Sequence, residues 1–201
     1  MFNFDLQFVN DNVKLIAGVD EAGRGPLAGP VCVASVIMPL EQNKIISGVN
    51  DSKKLTEKKR EALFDEIINT AIAYKIELIS EKEIDDVNIL NATKRGMEQA
   101  ILGLNVKPDL VLIDAVKLNV PVLTESVIKG DAKSYNIAAA SILAKVTRDR
   151  LMVELDKKYP EYNFKKHKGY GTKEHIENLK KFGKCEIHRN SFIKNFVGEN
   201  E

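Results

Sequence analysis

Asp20 and Glu21 stand side by side at the end of an apolar run, Leu15-Ile16-Ala17-Gly18-Val19, and open directly into a glycine-rich turn, Gly23-Arg24-Gly25-Pro26. A buried strand normally ends in a polar cap or a turn, not in two carboxylates. Carboxylates held close repel each other unless a proton or a cation lies between them. A hard divalent cation with oxygen ligands resolves that repulsion. Arg24 and the flexible backbone around it suit a phosphate-bearing partner. The segment points to metal-assisted phosphate chemistry.

Two further acids repeat the placement. Asp114 follows Leu110-Val111-Leu112-Ile113, and Asp131 follows Val127-Ile128-Lys129-Gly130. If these strands are neighbours, Asp20, Glu21, Asp114 and Asp131 surround one crevice at the strand ends, where open α/β sheets commonly bind ligands. Four acids exceed the needs of a structural ion pair. They suffice for two divalent ions about 4 Å apart, one activating water and one stabilising the leaving oxygen. Taken singly, each strand-end Asp also reads as a cap or turn residue; the adjacent pair inside an apolar frame resists that reading. Asp149 is a fifth acid, but Arg148-Asp149-Arg150 on a long helix reads as an ion-pair network.

The elements that must position these acids follow from hydrophobic spacing. Val13–Val19 and Val31–Met38 are apolar, rich in β-branched residues and joined by the glycine turn, so they read as paired strands. Thr56–Thr70 carries Leu63, Phe64, Ile67 and Ile68 at helical spacing with Thr56 as cap. Tyr74, Ile76 and Leu78 alternate with Ala73, Lys75 and Glu77 in a half-buried strand, and Asn88–Leu104 is helical. Leu110–Ile113 is a short buried strand, and Ser126–Ile128 is a candidate for another. Ile137–Lys158 is the longest helix, stopped by Pro160. Its opening, Ile137-Ala138-Ala139-Ala140-Ser141-Ile142-Leu143-Ala144, is small or apolar on every side, which predicts burial beside the site. Short helices follow at Lys173–Lys181, ended by Gly183, and near Asn190–Phe196. The pattern predicts an α/β fold, a mixed sheet flanked by helices, with residues 1–160 as the catalytic domain and 161–201 as a helical extension packed on it.

The 201 residues suffice for one well-filled core, and 44% hydrophobic with 29% charged residues is ordinary for a soluble globular chain. No apolar run approaches the roughly 20 residues of a membrane helix, and the start lacks the form of a signal peptide. Cys32 and Cys185 are far apart and unpatterned, which argues against a disulfide framework and fits a reducing cytoplasm. Net charge is only +1, but Lys145–Lys194 holds 14 Lys and Arg against 7 Asp and Glu. That basic quarter either lies along a polyanion or forms a solvated helical surface.

The residues resemble the ribonuclease HII family over nearly the whole chain. The resemblance rests on Gly18-Val19-Asp20-Glu21-Ala22-Gly23-Arg24-Gly25-Pro26-Leu27-Ala28-Gly29-Pro30, Asp51-Ser52-Lys53-Lys54-Leu55 and Lys129-Gly130-Asp131. It continues through Ile137–Val146 and Arg148-Asp149, then His167-Lys168-Gly169-Tyr170-Gly171-Thr172 and His188-Arg189-Asn190-Ser191-Phe192. One departure is Ala115, where glycine is usual. The resemblance implies an RNase H-like fold with helices on both faces of the sheet. It also implies endonucleolytic cleavage of RNA in RNA–DNA hybrids and of single ribonucleotides in duplex DNA, as in ribonucleotide excision repair. Mg2+ or Mn2+, two per site, would be held by Asp20, Glu21, Asp114 and Asp131, and the products would carry 3′-hydroxyl and 5′-phosphate ends. The expected partners are those nucleic acids, with no membrane, for a monomer; the Glu199–Glu201 tail shows no sliding-clamp-binding pattern.

The resemblance also assigns substrate contacts. Gly23, Arg24 and Gly25 would read the ribose, whose 2′-hydroxyl both donates and accepts, through backbone that glycine lets come close. Tyr170, otherwise a half-exposed loop aromatic, would pack on the sugar at the RNA–DNA junction. Ser52, Lys53 and Lys54 pair a hydroxyl with ammonium groups before a helix, which suits a backbone phosphate or a plain helix entry. His167, Lys168, His188 and Arg189 either extend the phosphate track or cap and pair. A nucleotide-binding protein is a rival reading, but the turn leads to a strand and no Gly-x-x-x-x-Gly-Lys-Ser/Thr pattern is present. A non-catalytic RNA-binding module leaves the four acids unexplained. Ribonuclease HIII differs in its turn sequence and usually carries an extra N-terminal domain, which Arg24 and a site beginning at residue 20 argue against.

Overall fold

The computed structural model describes residues 1–114 and 116–197. Ala115 and the Glu199–Glu201 tail, both singled out in the sequence, lie outside the described residues. Five strands, β1 (Ile16–Ala22), β2 (Val31–Ile37), β3 (Ala73–Ile79), β4 (Leu110–Asp114) and β5 (Leu123–Val127), form one sheet in the order β3-β2-β1-β4-β5. The β1–β2 and β2–β3 pairs are antiparallel, and β1–β4 and β4–β5 are parallel. The helices are α1 (Phe2–Asp5), α2 (Glu57–Thr70), α3 (Glu81–Val87), α4 (Ile89–Leu102), α5 (Gly130–Lys133), α6 (Tyr135–Lys158), α7 (Phe164–His167), α8 (Lys173–Phe182) and α9 (Asn190–Ile193). None is long and apolar enough to cross a membrane.

Side chains alternate across a strand, so each strand feeds two cores. On one face Cys32, Ala34 and Val36 of β2 meet Ala139, Ala140 and Leu143 of α6 and Leu63, Phe64 and Ile67 of α2. On the other, Ala17, Val19, Val33 and Ile37 meet Ala92, Met97, Ala100 and Ile101 of α4. Every residue from Tyr135 to Ala144 is buried, as the small-residue run predicts. Gly18 is what lets α6 sit on β1: a Cβ there would lie 2.1 Å from the Asn136 carbonyl carbon and 2.2 Å from the Ile137 nitrogen. The first turn of α6 is therefore held directly against the strand two residues before Asp20. Its free amides are capped by Ser134, whose Oγ accepts from Ile137 N at 3.2 Å, and by Asp5, whose Oδ2 accepts from Asn136 N at 2.9 Å.

Several boundaries differ from the sequence reading. β1 runs through both acids, because Asp20 and Glu21 stay in register with Ala34 and Val33 of β2. β5 is Leu123–Val127, and Ile128 lies beyond it. α3 was not expected: of its seven residues only Ile84 is buried, too little to give a periodicity. In β3, an edge strand, Ala73 and Ile79 are buried while Tyr74 and Leu78 stay exposed. α6 starts two residues earlier than its apolar run, at its Ser134 cap, and α9 ends at Ile193.

Candidate active site

Parallel pairing of β1 and β4 matches Val19 with Ile113, so Asp20 and Asp114 each stand one residue further along neighbouring strands. Asp131 reaches the same rim from α5, a helical turn after β5, not from the strand end itself. That turn is tied to β4 by Gly130 N, which donates to Asp114 Oδ1 at 2.8 Å. The sheet thus brings all four predicted acids together. Asp20 is their centre: burial raises its pKa well above the ordinary carboxylate value, and the charges of Glu21, Asp114 and Asp131 push the same way. A hydrogen bond from Glu21 N at 2.8 Å opposes them without prevailing. Glu21 is also raised, by burial first, with Arg24 pulling the other way and Asp114 adding to the rise.

Two cations stand at the edge of this group. Lys53 Nζ lies 3.4 Å from Asp131 Oδ2, and Arg24 Nη1 lies 3.4 Å from Glu21 Oε1. Burial works against the Lys53 ammonium, but Asp131, Asp20 and Asp51 outweigh it and raise its pKa. Lys53 is exposed at the rim, whereas Ser52 is buried and its amide donates to Ser141 Oγ at 3.3 Å. Among the described residues no three His, Cys, Asp or Glu side chains close into a ready-made metal cage. The chemistry of the set still fits a hard cation: the donors are all carboxylate oxygens, and burial and neighbouring acids disfavour the charge of the most buried of them, which a cation would offset.

The glycine turn is built around two buried arginines. Gly23 has φ +96, and a Cβ on it would lie 2.0 Å from Arg148 Nε. Arg148 donates to Pro30 O at 2.9 Å, Lys168 O at 2.9 Å and Ala28 O at 3.0 Å. Arg189 donates to Gly29 O from Nε at 2.9 Å and from Nη2 at 2.6 Å, to Arg24 O at 2.9 Å and to Gly23 O at 2.6 Å. Both arginines are buried away from any phosphate track, and among the described residues Arg148 forms no ion pair. Its neighbours do: Asp149 meets Lys145 at 2.8 Å and Arg60 at 3.9 Å, and Arg150 pairs with Glu61. A guanidinium's planar fork can reach several carbonyls at once.

Tyr170 lies across from that turn. The residue is 43% exposed, enough to meet a ligand, and its Cε1 is 3.8 Å from where a Gly25 Cβ would stand. The loop is pinned by Leu27 N donating to Gly169 O at 2.8 Å. Gly25 is exposed and a Cβ there would meet only that tyrosine, so close packing does not account for glycine at this position. His167, His175 and His188 are buried together, with His167 stacked on His175 at 4.5 Å between centroids. Burial drives the pKa of His175 and His188 down to about 4. Much of the basic C-terminal quarter is paired, Lys157 with Glu154, Lys158 with Glu186 and Lys166 with Glu174. Cys32 and Cys185 are free thiols, and burial raises Cys32 to about 12.

A family model described as Ribonuclease HII matches residues 17–195. The curated Ribonuclease HII of Caldicellulosiruptor bescii is 56% identical over 197 residues, covering 98% of this chain and 95% of its own length. The crystal structure of ribonuclease H2 from Pyrococcus horikoshii OT3 is 32% identical with TM-score 0.71, covering 88% of this chain and 93% of that one. A Bst-RNase HIII structure in complex with Mn2+ matches with TM-score 0.64 at 16% identity, over 85% of this chain and 62% of that one, a likeness of fold alone.

Proposed function

The chain belongs to the ribonuclease HII family and is an endoribonuclease of the RNase H type, and from that premise we propose that it cleaves both the RNA strand of RNA–DNA hybrids and single ribonucleotides embedded in duplex DNA, leaving 3′-hydroxyl and 5′-phosphate ends. The observation that carries this is the convergence of Asp20, Glu21, Asp114 and Asp131 beside a glycine turn faced by Tyr170.

Asp20, Glu21, Asp114 and Asp131 would hold Mg2+ or Mn2+, two per site. Bound there, such ions supply an activated water and offset charge developing on the phosphate. Asp20 sits at the hub, where burial first and then the charge of Glu21 disfavour its ionised form, and a bound cation would offset both. Lys53 and Arg24 flank the acids, where each also reaches a phosphate oxygen of the substrate. Ser52 serves through its backbone, which anchors the lysine turn to α6. The carbonyls and amides of Gly23, Arg24 and Gly25 read the 2′-hydroxyl, held in place by Arg148 and Arg189. Tyr170 packs on the sugar beyond the cut and favours a ribo-to-deoxyribonucleotide step. Residues 1–160 form the catalytic domain, and the segment from 161 onward supplies Tyr170 and Arg189 to it. The expected setting is the cytoplasm.

The test is cleavage of four duplexes, all-DNA, all-RNA, hybrid and DNA with one ribonucleotide, in Mg2+, Mn2+ and EDTA. The proposal expects cutting of the last two only, and none in EDTA. Cutting in EDTA, or an Asp20→Asn protein with near-normal turnover, refutes the metal assignment. Intact single-ribonucleotide duplex refutes the substrate assignment.

A further inference from the structure

All three histidines of the chain, His167, His175 and His188, meet behind the loop that presents Tyr170, and their hydrogen bonds fix where each proton sits. Cys185 N donates to His188 Nδ1 at 3.0 Å, so that nitrogen carries a lone pair and the proton of the neutral ring lies on Nε2. Cys185 Sγ also lies beside that nitrogen, 3.1 Å from Nδ1. His188 Nε2 is 3.1 Å from His175 Nε2, and two ring nitrogens share a hydrogen bond only when one of them is protonated. His188 therefore donates and His175 Nε2 accepts, which leaves the His175 proton on Nδ1. That Nδ1 lies 2.9 Å from the Tyr170 carbonyl oxygen. The opposite tautomer would turn a lone pair on the carbonyl.

We propose that His175 and His188 are positioning residues for Tyr170, a one-directional hydrogen-bond relay from the Cys185 amide to the Tyr170 carbonyl that sets the tyrosine ring beside the glycine turn. The role rests on the reading of Tyr170 as the residue that packs on the substrate sugar. His167 completes the hold from the other side, its backbone carbonyl accepting from Tyr170 N at 2.9 Å. Its ring is fixed in turn by Gly169 N, donating to Nδ1 at 3.2 Å, and by Tyr162 O, 2.8 Å from Nε2. The Tyr170 carbonyl also accepts from Thr172 N at 2.8 Å, so the His175 N–H is the second of two donors that orient this peptide beneath the part-exposed ring. Both relay rings stay neutral because burial disfavours the imidazolium.

The closing experiment compares His175→Asn, which keeps an N–H where Nδ1 stands, with His175→Gln, which reaches toward His188 but not to the Tyr170 carbonyl. The readout is kcat/KM on single-ribonucleotide duplex divided by kcat/KM on uniform hybrid, with thermal melts showing that each variant is folded. The ratio should hold in the Asn variant and fall about tenfold in the Gln variant, the size of one lost hydrogen bond. In a Tyr170→Ala background the Gln change should add nothing. Nitrogen-15 shifts of the wild-type rings should show Nδ1–H on His175 and Nε2–H on His188. An equal fall on both substrates, full additivity with Tyr170→Ala, or a His175 proton on Nε2 overturns the relay's role. If Tyr170→Ala alone leaves the ratio unchanged, it is the reading of Tyr170 that fails, and the relay's part in selectivity falls with it.

Discussion

Arg189→Lys is the sharpest test of how the glycine turn is held. Arg189 is fully buried and serves three carbonyls, those of Gly23, Arg24 and Gly29, through four N–H contacts. Burial first, and then the charge of Arg148, lowers its pKa to about 9, so the guanidinium remains charged at neutral pH. A lysine ammonium lacks the planar fork, so it satisfies one of the buried Gly23 and Gly29 carbonyls well and leaves the other without a partner, while the Arg24 carbonyl, on an exposed residue, can turn to water. An unsatisfied buried acceptor costs roughly 1–3 kcal/mol, so the variant should lose about that much. Against the roughly 5–15 kcal/mol typical of a folded domain, that loss leaves a protein that still folds in the cold. Urea denaturation should show a lower midpoint with an unchanged slope. Because two of the three carbonyls belong to the proposed ribose-reading turn, cleavage should fall further than the folded fraction does, on hybrid and single-ribonucleotide substrates alike. Stability within about 0.5 kcal/mol of wild type, together with unchanged kcat/KM, would refute the idea that the planar fork is what holds the turn.

Three further outcomes follow from the same structure. Asp20→Asn should raise the melting temperature in EDTA near neutral pH while abolishing cleavage, because an acid whose folded pKa is raised destabilises the fold wherever it is ionised; a lower melting temperature would show that its neighbours do not strain it. Gly18→Ala should cost several kcal/mol and displace the first turn of α6, since its methyl would stand 2.1 Å from the Asn136 carbonyl carbon; a crystal structure with α6 unmoved and a wild-type melt would contradict this. Stability should also fall in mild acid. His175 and His188 lie near 4 when folded against 6.5 unfolded, so their contribution is full above 6.5 and drains as pH drops toward 4, by at least about 2 kcal/mol for the coupled pair by pH 5. Around them stand His167, Tyr162 and Cys185, with Glu174, Lys166 and Glu161 nearby. Asp20 and Glu21 oppose the trend, so the measurement is best made in Asp20→Asn; a flat urea midpoint from pH 7 to 5 would count against the buried neutral rings.

What the sequence disclosed and what it withheld divide along a physical line. The paired acids, the glycine turn and the small-residue face of α6 were legible because each is a local demand on residue type: repulsion needs a cation, close approach needs glycine, burial needs small apolar side chains. The order of strands and helices was legible for the same reason where burial was complete, and blurred at β5 and α3, where four of the five residues of the one are exposed and one residue of the other is buried. The arginine scaffold and the histidine relay were not legible, because their partners are backbone carbonyls and amides. Every residue carries those groups, so the partner leaves no mark in composition or spacing. Arg148 and Arg189 sit far apart in the chain and converge on one loop only after α6 and the C-terminal segment have docked against Leu27–Pro30. The same blindness inflates the basic C-terminal quarter. Two of its charges are spent inside on carbonyls and several more on neighbouring carboxylates, so the field it offers a polyanion is weaker than its count of lysines and arginines implies. A basic side chain announces its charge in sequence, but only the fold decides whether that charge meets a phosphate or a peptide oxygen.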